Sequence, residues 1–174
     1  MKNRSRGVTL IELLVVILII GGFVFALSPF VKKARERAYR AKCASNLRRI
    51  SVALYRYAED HGDAFPQTAN LKELTSALAG PNASYAEDLS VFVCPNTGHK
   101  KPSPEEAAGS DIDYMYVSGL RADSPPYAPI MADKVRGSAI AKSDNHGRGG
   151  VNVLYVNGDV KWLLKPPSGE WVKE

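Results

Sequence analysis

A long apolar run near the N-terminus constrains this chain more than any other feature. The fifteen residues from Leu13 to Leu27 include no charged side chain, and Glu12 is the one charged residue between positions 8 and 31. A helix needs about 20 apolar residues to cross a bilayer. The run is therefore long enough to anchor the chain in a membrane, and the remainder, rich in Gly, Pro and Asn, resembles a soluble chain.

A secretory signal peptide is the alternative explanation, because it also has a basic start and an apolar centre. Here the apolar core is long, and no small-x-small cleavage site closes it cleanly. A carboxylate in the hydrocarbon costs about 2.5 kcal/mol or more on insertion scales. We therefore favour a retained membrane helix and expect Glu12 to have a cationic partner.

Charge is distributed unevenly along the chain, whose formal net charge is +5. Residues 31–60 hold nine Lys and Arg against three Asp and Glu, whereas residues 61–174 hold eleven against fourteen. A nucleic-acid-binding domain would carry its basic excess on a folded face or beside aromatic residues, rather than mostly on one predicted helix. We expect no direct nucleic-acid partner.

The residues around Glu12 carry a specific resemblance. The stretch Arg6-Gly7-Val8-Thr9-Leu10-Ile11-Glu12, followed by Leu13-Leu14-Val15-Val16, resembles the class III leader of type IV prepilins and type II secretion pseudopilins. The resemblance implies that prepilin peptidase cuts after Gly7 and methylates the new amine on Val8. It also implies that Glu12 faces the N-terminus of a neighbouring subunit. An amine and a carboxylate attract strongly in a low dielectric, so this pairing would set subunit register.

The function implied by this resemblance is that of a structural subunit, and not of an enzyme. The chain would be a pilin or pseudopilin of a type IV pilus-like or type II secretion-like filament. Its partners would be other pilin or pseudopilin subunits, prepilin peptidase, the inner membrane, and a secretion or pilus assembly platform. The globular part would lie in the periplasm or, after assembly, on the cell surface. The alternative is a membrane-tethered extracytoplasmic ligand-binding domain, which would need neither leader cleavage nor Glu12.

The orientation rests on the leader resemblance. Four basic residues follow the span, so the positive-inside rule does not by itself place the N-terminus in the cytoplasm. These residues are Lys32, Lys33, Arg35 and Arg37.

The expected fold is α+β and pilin-like, with a long N-terminal helix packed on a small antiparallel β-sheet domain. Its predicted boundaries are a cleaved leader at 1–7, a transmembrane half of the helix at 8–30, an amphipathic half at 31–61, and a globular domain at 62–174. Spacings of four and three residues predict the amphipathic face, and His61-Gly62 predicts the helix end. That face comprises Cys43, Leu47, Ile50, Leu54 and Tyr57. Positions at which the helix would bend are Gly21, Gly22 and Pro29.

Short elements separated by turns are predicted in the globular domain. Leu71 to Leu78 is a predicted helix, and residues 91–94, 114–117 and 130–132 are predicted strands. A hairpin gives the clearest pattern: residues 151–156 form one strand, Asn157-Gly158 forms a tight turn, and Val160 and Trp162 lie on the returning strand.

A second resemblance covers this domain. Residues 43–50, 57–66, 93–95, 132–134 and 146–162 are similar to prepilin-like proteins found mainly in planctomycetes, verrucomicrobia and their relatives. That group typically has a His, nine intervening residues and then Asp-Gly. Here ten residues separate His146 from Asn157-Gly158, and Asn replaces Asp. Asn157 still suits the turn, which favours a structural role for the motif. The candidate structural or ligand residues are Asp133, His146, Asn157, Gly158 and Asp159.

Cys43 and Cys94 are the only cysteines. Disulfides persist outside the inner membrane, so we expect a bond between these two residues. It would close a loop of about 52 residues and stabilise the fold by roughly 4 kcal/mol in the chain-entropy model. Two buried free thiols are the alternative. No zinc site is expected, because Cys94 and His99 lack a second ligand pair at the usual spacing.

Catalytic and cofactor motifs are weak in this sequence. There is no GxSxG motif, and no Cys–His pair whose proximity the sequence implies, so His146 is interpreted as a residue that caps or hydrogen-bonds the backbone. We expect no cofactor. Calcium is the alternative, because major secretion pseudopilins use a C-terminal calcium loop, although the residues here lack a recognisable hard-cation spacing. Those residues are Asp144, Asn145, Asn157 and Asp159, while Asp111 and Asp113 are interpreted as solvated turn residues.

Overall fold

The helices and strands were located in a computed structural model, which describes residues 9–80, 83, 85–86, 88–99, 112–135, 145–146 and 149–171. Helix α1 spans Leu10–Asp60, helix α2 spans Leu71–Ala79, and a short 3-10 helix spans Leu89–Phe92. The strands are β1 (Tyr114–Tyr116), β2 (Pro129–Asp133), β3 (Val151–Tyr155) and β4 (Val160–Leu163). The predicted α+β fold class is confirmed.

The chain divides into two units, Met1–Arg37 and Ala38–Glu174. In the first unit, α1 contains a window of 18 residues with a mean hydropathy of 2.9, none of it buried, which suffices by length and composition to cross a membrane. The helix is continuous through Gly21, Gly22 and Pro29. The long helix is confirmed, and a bend at these three residues stays a prediction.

The sheet in the second unit is an antiparallel meander in the order β1-β2-β3-β4. Tyr114 pairs with Asp133 across β1 and β2, and a register irregularity lies between Pro129 and Met131 on β2. The predicted hairpin is confirmed, with Val151 paired to Leu163 across β3 and β4. The tight turn between these strands is closed by the Gly158 amide, which donates to the Tyr155 carbonyl at 2.9 Å.

The core of this unit lies between the second half of α1 and the sheet. Cys43, Leu47, Ile50 and Leu54 are buried as predicted, and Tyr57 is half-buried. Their partners in one hydrophobic cluster include side chains from α2, the 3-10 helix and all of the first three strands. The part of α1 from Cys43 to Ala58 is therefore an integral part of the globular fold.

Two local predictions are wrong. Residues 91–94 are not a strand: the 3-10 helix Leu89–Phe92 occupies most of them, because the Asp88 side chain accepts a hydrogen bond from the Ser90 amide at 3.0 Å and caps that turn. Asp113 is not solvated, since it is 2% exposed. Asp111 lies outside the described residues.

Candidate functional site

The start of α1 is an N-terminal capping box that involves Glu12. Thr9 precedes the first helical residue, and Glu12 accepts hydrogen bonds from the Thr9 amide and hydroxyl, both at 2.8 Å. The Glu12 amide donates to the Thr9 hydroxyl at 3.4 Å. This reciprocal arrangement is the Thr-x-x-Glu pattern of helix starts. The pattern is visible in the sequence, so the capping role of Glu12 was open to prediction and was missed.

The other residues predicted for processing and assembly include Gly7, Val8, Gly21 and Gly22. Gly7 and Val8 fall outside the described residues, so cleavage and methylation stay predictions. Gly21 and Gly22 face open space, with no atom within 4 Å of where a Cβ would lie. An exposed apolar helix face of this kind is suited to close packing against lipid or other helices.

A second group of predicted residues meets inside the globular unit. The side-chain ligand atoms of Cys43, Cys94 and His146 all lie within 4.8 Å of one another, and all three residues are buried. Cys94 Sγ is 3.8 Å from His146 Nε2. The same nitrogen is 3.6 Å from Asp133 Oδ2, and both of those side chains are fully buried. The structure thus brings together the two cysteines predicted to form a disulfide and two of the candidate structural or ligand residues, Asp133 and His146.

Four different segments position this cluster. Cys43 lies on the packing face of α1, Cys94 follows the 3-10 helix, and Asp133 ends β2. The Asn46 side chain donates to the Val93 carbonyl at 3.2 Å and so holds the Cys94 segment against α1. His146 packs edge-on against Trp162 of β4, with ring centroids 5.8 Å apart.

Asp133 is a buried carboxylate held by amide donors. Its Oδ2 accepts from the Asn152 backbone amide at 2.7 Å and from the Asn152 side chain at 3.0 Å, and its Oδ1 accepts from Asn145 at 3.3 Å. Burial raises the pKa of the Asp133 carboxyl, and the Asn152 hydrogen bonds oppose that shift. No sequence motif signalled these asparagines as partners.

The two cysteines are free thiols in this structure. The predicted disulfide is therefore absent here, although the sulfurs lie close together, and the bond stays a prediction. Contact with the Cys43 thiol, and to a lesser degree with His146, lowers the pKa of Cys94 to about 6. The reciprocal contact raises the pKa of Cys43.

The cluster does not have the geometry of a catalytic relay. In a Ser–His–Asp type triad, the nucleophile and the orienting carboxylate contact opposite nitrogens of the imidazole ring. Here Cys94 and Asp133 both approach Nε2 of His146. All four side chains are also buried, which leaves no surface on them for a substrate.

The turn residues of the predicted motif lie apart from His146, at the other end of β3. Asn157 and Asp159 bond to each other: the Asn157 side chain donates to Asp159 Oδ2 at 2.9 Å, and the Asp159 amide donates to Asn157 Oδ1 at 3.0 Å. This supports a structural role for Asn157, Gly158 and Asp159. Asp144, considered for calcium, lies outside the described residues.

Asp113 forms a separate polar contact behind Cys94. Its carboxylate accepts from the Cys94 amide at 2.8 Å and from the Thr97 hydroxyl at 2.8 Å. The other oxygen is 2.7 Å from His99 Nδ1. His146 and His99 therefore have different partners. His146 faces the cysteine sulfurs, whereas His99 contacts the Asp113 carboxylate.

Comparisons with known proteins agree with the resemblance of the leader. The family described as the prokaryotic N-terminal methylation motif matches residues 2–21. Type II secretion system core protein G of Klebsiella pneumoniae is 31% identical over 114 residues, which are 65% of this chain and 76% of that protein. No solved structure matches the chain significantly. The leader pattern, the long exposed helix, the antiparallel sheet and this relative together establish that the chain belongs to the type IV prepilin and type II secretion pseudopilin family.

Proposed function

We propose that this chain is a pseudopilin of a type II secretion-like filament, processed after Gly7, with its globular unit outside the cytoplasm. Membership of the family makes it a pilin-like filament subunit. The assignment to secretion rather than to a pilus follows the name of the relative in Klebsiella pneumoniae. Its partners are then other subunits of the filament, prepilin peptidase and the assembly platform in the inner membrane.

The exposed first half of α1 is the observation that carries this proposal. Between Leu10 and Val31 the large apolar side chains are 46% to 84% exposed. Full burial of one such side chain contributes about 1.5–3 kcal/mol relative to leaving it in water. A surface of this size needs lipid before assembly and neighbouring helices after it, which is the cycle of a filament subunit.

In this proposal Glu12 has one role within its own chain and a second role between chains. Within one chain its carboxylate closes the capping box with Thr9. In the filament it would pair with the Val8 amine of a neighbour, because an isolated charge in an apolar surrounding is costly and an opposite charge offsets that cost. Gln at this position would retain the capping box, since Gln also fits the third helical position, but would lose the charge.

The test compares three variants of the full chain in a strain that assembles filaments. Glu12→Ala and Glu12→Gln should be processed but should fail to assemble, whereas Thr9→Val, which loses the cap at a cost of about 1 kcal/mol, should still assemble. Processing is followed by the size of the chain on gels, and assembly by recovery of sheared filaments.

Two results would contradict the charge-pairing argument. Normal filaments from Glu12→Gln would show that the charge is not needed. Loss of assembly in Thr9→Val with a wild-type result for Glu12→Gln would assign the role of Glu12 to helix capping alone. If all three variants were fully functional although none of them formed filaments, the tethered ligand-binding alternative would be favoured.

A further inference from the structure

We propose that Cys43, Cys94 and His146 bind a zinc ion inside the globular unit, with Asp133 as the fourth ligand. These residues come from separate parts of the chain, which is why ligand spacing in the sequence gave no signal. The site would join α1, the segment after the 3-10 helix, the end of β2 and the His146 segment at one point.

The geometry supports a tetrahedral ion. Zinc bonds to thiolate sulfur at about 2.3 Å and to imidazole nitrogen at about 2.0–2.1 Å, so sulfur and nitrogen ligands on one tetrahedron lie about 3.6 Å apart. Cys94 Sγ and His146 Nε2 are 3.8 Å apart, and the set that also includes Cys43 spans no more than 4.8 Å. Small movements would bring these three ligand atoms to a common centre, and Asp133, which lies outside this group of three, would have to move further.

The donor atoms select the metal. Thiolate and imidazole ligands suit zinc and other transition metals, whereas calcium and magnesium take oxygen ligands. Asp133 Oδ2 lies 3.6 Å from His146 Nε2, close to the roughly 3.4 Å expected between oxygen and nitrogen ligands of one zinc ion. A carboxylate oxygen has about two acceptor positions, and both positions of Oδ2 are used by the Asn152 amide and side chain. Asp133 would therefore bind the ion through Oδ2 in place of the longer bond, at 3.0 Å, from the Asn152 side chain. The remaining amide donors would orient the carboxylate, as is common for ligating carboxylates.

Burial assigns the ion a structural role. Cys43, Cys94 and Asp133 are each 0% exposed and His146 is 5% exposed. Catalytic zinc sites keep an open position for water or substrate, while structural sites are closed by four protein ligands. An ion in this position would bind as the domain folds, and its binding free energy would add to the stability of the domain.

A disulfide between Cys43 and Cys94 is the competing state of the same atoms. Such a bond would remove both thiolate ligands, so one chain holds either the ion or the bond. His146 Nε2, 3.8 Å from Cys94 Sγ, favours the ion, because a disulfide would make no use of this nitrogen.

The test uses the full chain, purified in detergent from its membrane without added chelator. Elemental analysis should find zinc equimolar with protein. Replacement of zinc by cobalt should give an intense near-ultraviolet thiolate-to-cobalt band.

Cys43→Ser and Cys94→Ser should each weaken zinc binding by more than about 100-fold, since they remove a ligand, and Asp133→Asn by about 10–100-fold. His99→Gln is the matched control, because His99 lies near Cys94 but bonds to Asp113, and it should retain the ion.

Several results would overturn the proposal. A non-reduced mass lower than the thiol form by two hydrogens would show the disulfide instead. Copper in place of zinc would refute the choice of metal, and a metal-free thiol form that takes up no zinc on refolding would refute the site. If the serine variants fail to fold, X-ray absorption of the wild-type protein decides alone: two sulfur neighbours support the site, and their absence contradicts it.

Discussion

Gly150 is the single residue at which the backbone beside the buried cluster is most constrained. Its φ is +123°, a conformation that side-chain-bearing residues rarely adopt, and a Cβ there would meet the Leu163 carbonyl and the Trp162 ring. The ring of Trp162 also contacts His146 and the Arg40 guanidinium, whose central carbon is 4.2 Å from a ring centroid. Gly150 therefore permits the close approach of β3 and β4 that positions His146.

Gly150→Ala should lower the free energy of unfolding by about 2–4 kcal/mol, because it adds a steric clash to backbone strain. Gly119→Ala is the matched control: its φ is +85° but its Cβ would face open space, so strain of about 1 kcal/mol is expected alone. Urea unfolding of the two variants measures the loss in the free energy of unfolding for each. Equal losses would show that contacts with Leu163 and Trp162 do not matter.

Helix α1 is the element that links the two halves of the sequence, and its buried face can be tested against its exposed face. Leu47→Ala should lower the free energy of unfolding by about 2–5 kcal/mol, since Leu47 is 0% exposed within the core. Val52→Ala on the same helix should change it by less than about 0.5 kcal/mol, because Val52 is 52% exposed. Thermal or urea unfolding followed by circular dichroism provides the values. A similar effect of both changes would contradict the packing of this face.

Elements with a strong periodic pattern were predictable from the sequence, and those without one were not. The spacing of Leu47, Ile50 and Leu54 predicted the packing face, and Asn157-Gly158 predicted the hairpin. Residues 91–94 were misassigned because a short apolar run has no period, and the Asp88 cap that decides its conformation lies outside the run. The buried cluster was beyond prediction as a cluster, because Cys43, Cys94 and His146 are brought together only by tertiary packing.

In the molecule as a whole, the hydrophobic core belongs to one unit. Every buried residue of the main hydrophobic cluster described by the structure lies at or beyond Cys43. A chain of residues 38–174 should therefore fold as a soluble domain with a cooperative thermal transition, and it should not assemble. Circular dichroism and size-exclusion chromatography test this. Aggregation, or a non-cooperative transition, would show that the first 37 residues are required for folding.

The chain should enter a filament through prepilin processing. Intact-mass and N-terminal peptide analysis of the protein from its native membrane tests it most directly. The mature chain should begin at N-methylated Val8, with residues 1–7 absent. An intact Met1, or cleavage after the apolar run, would contradict it and would leave a tethered or secreted binding domain as the better explanation.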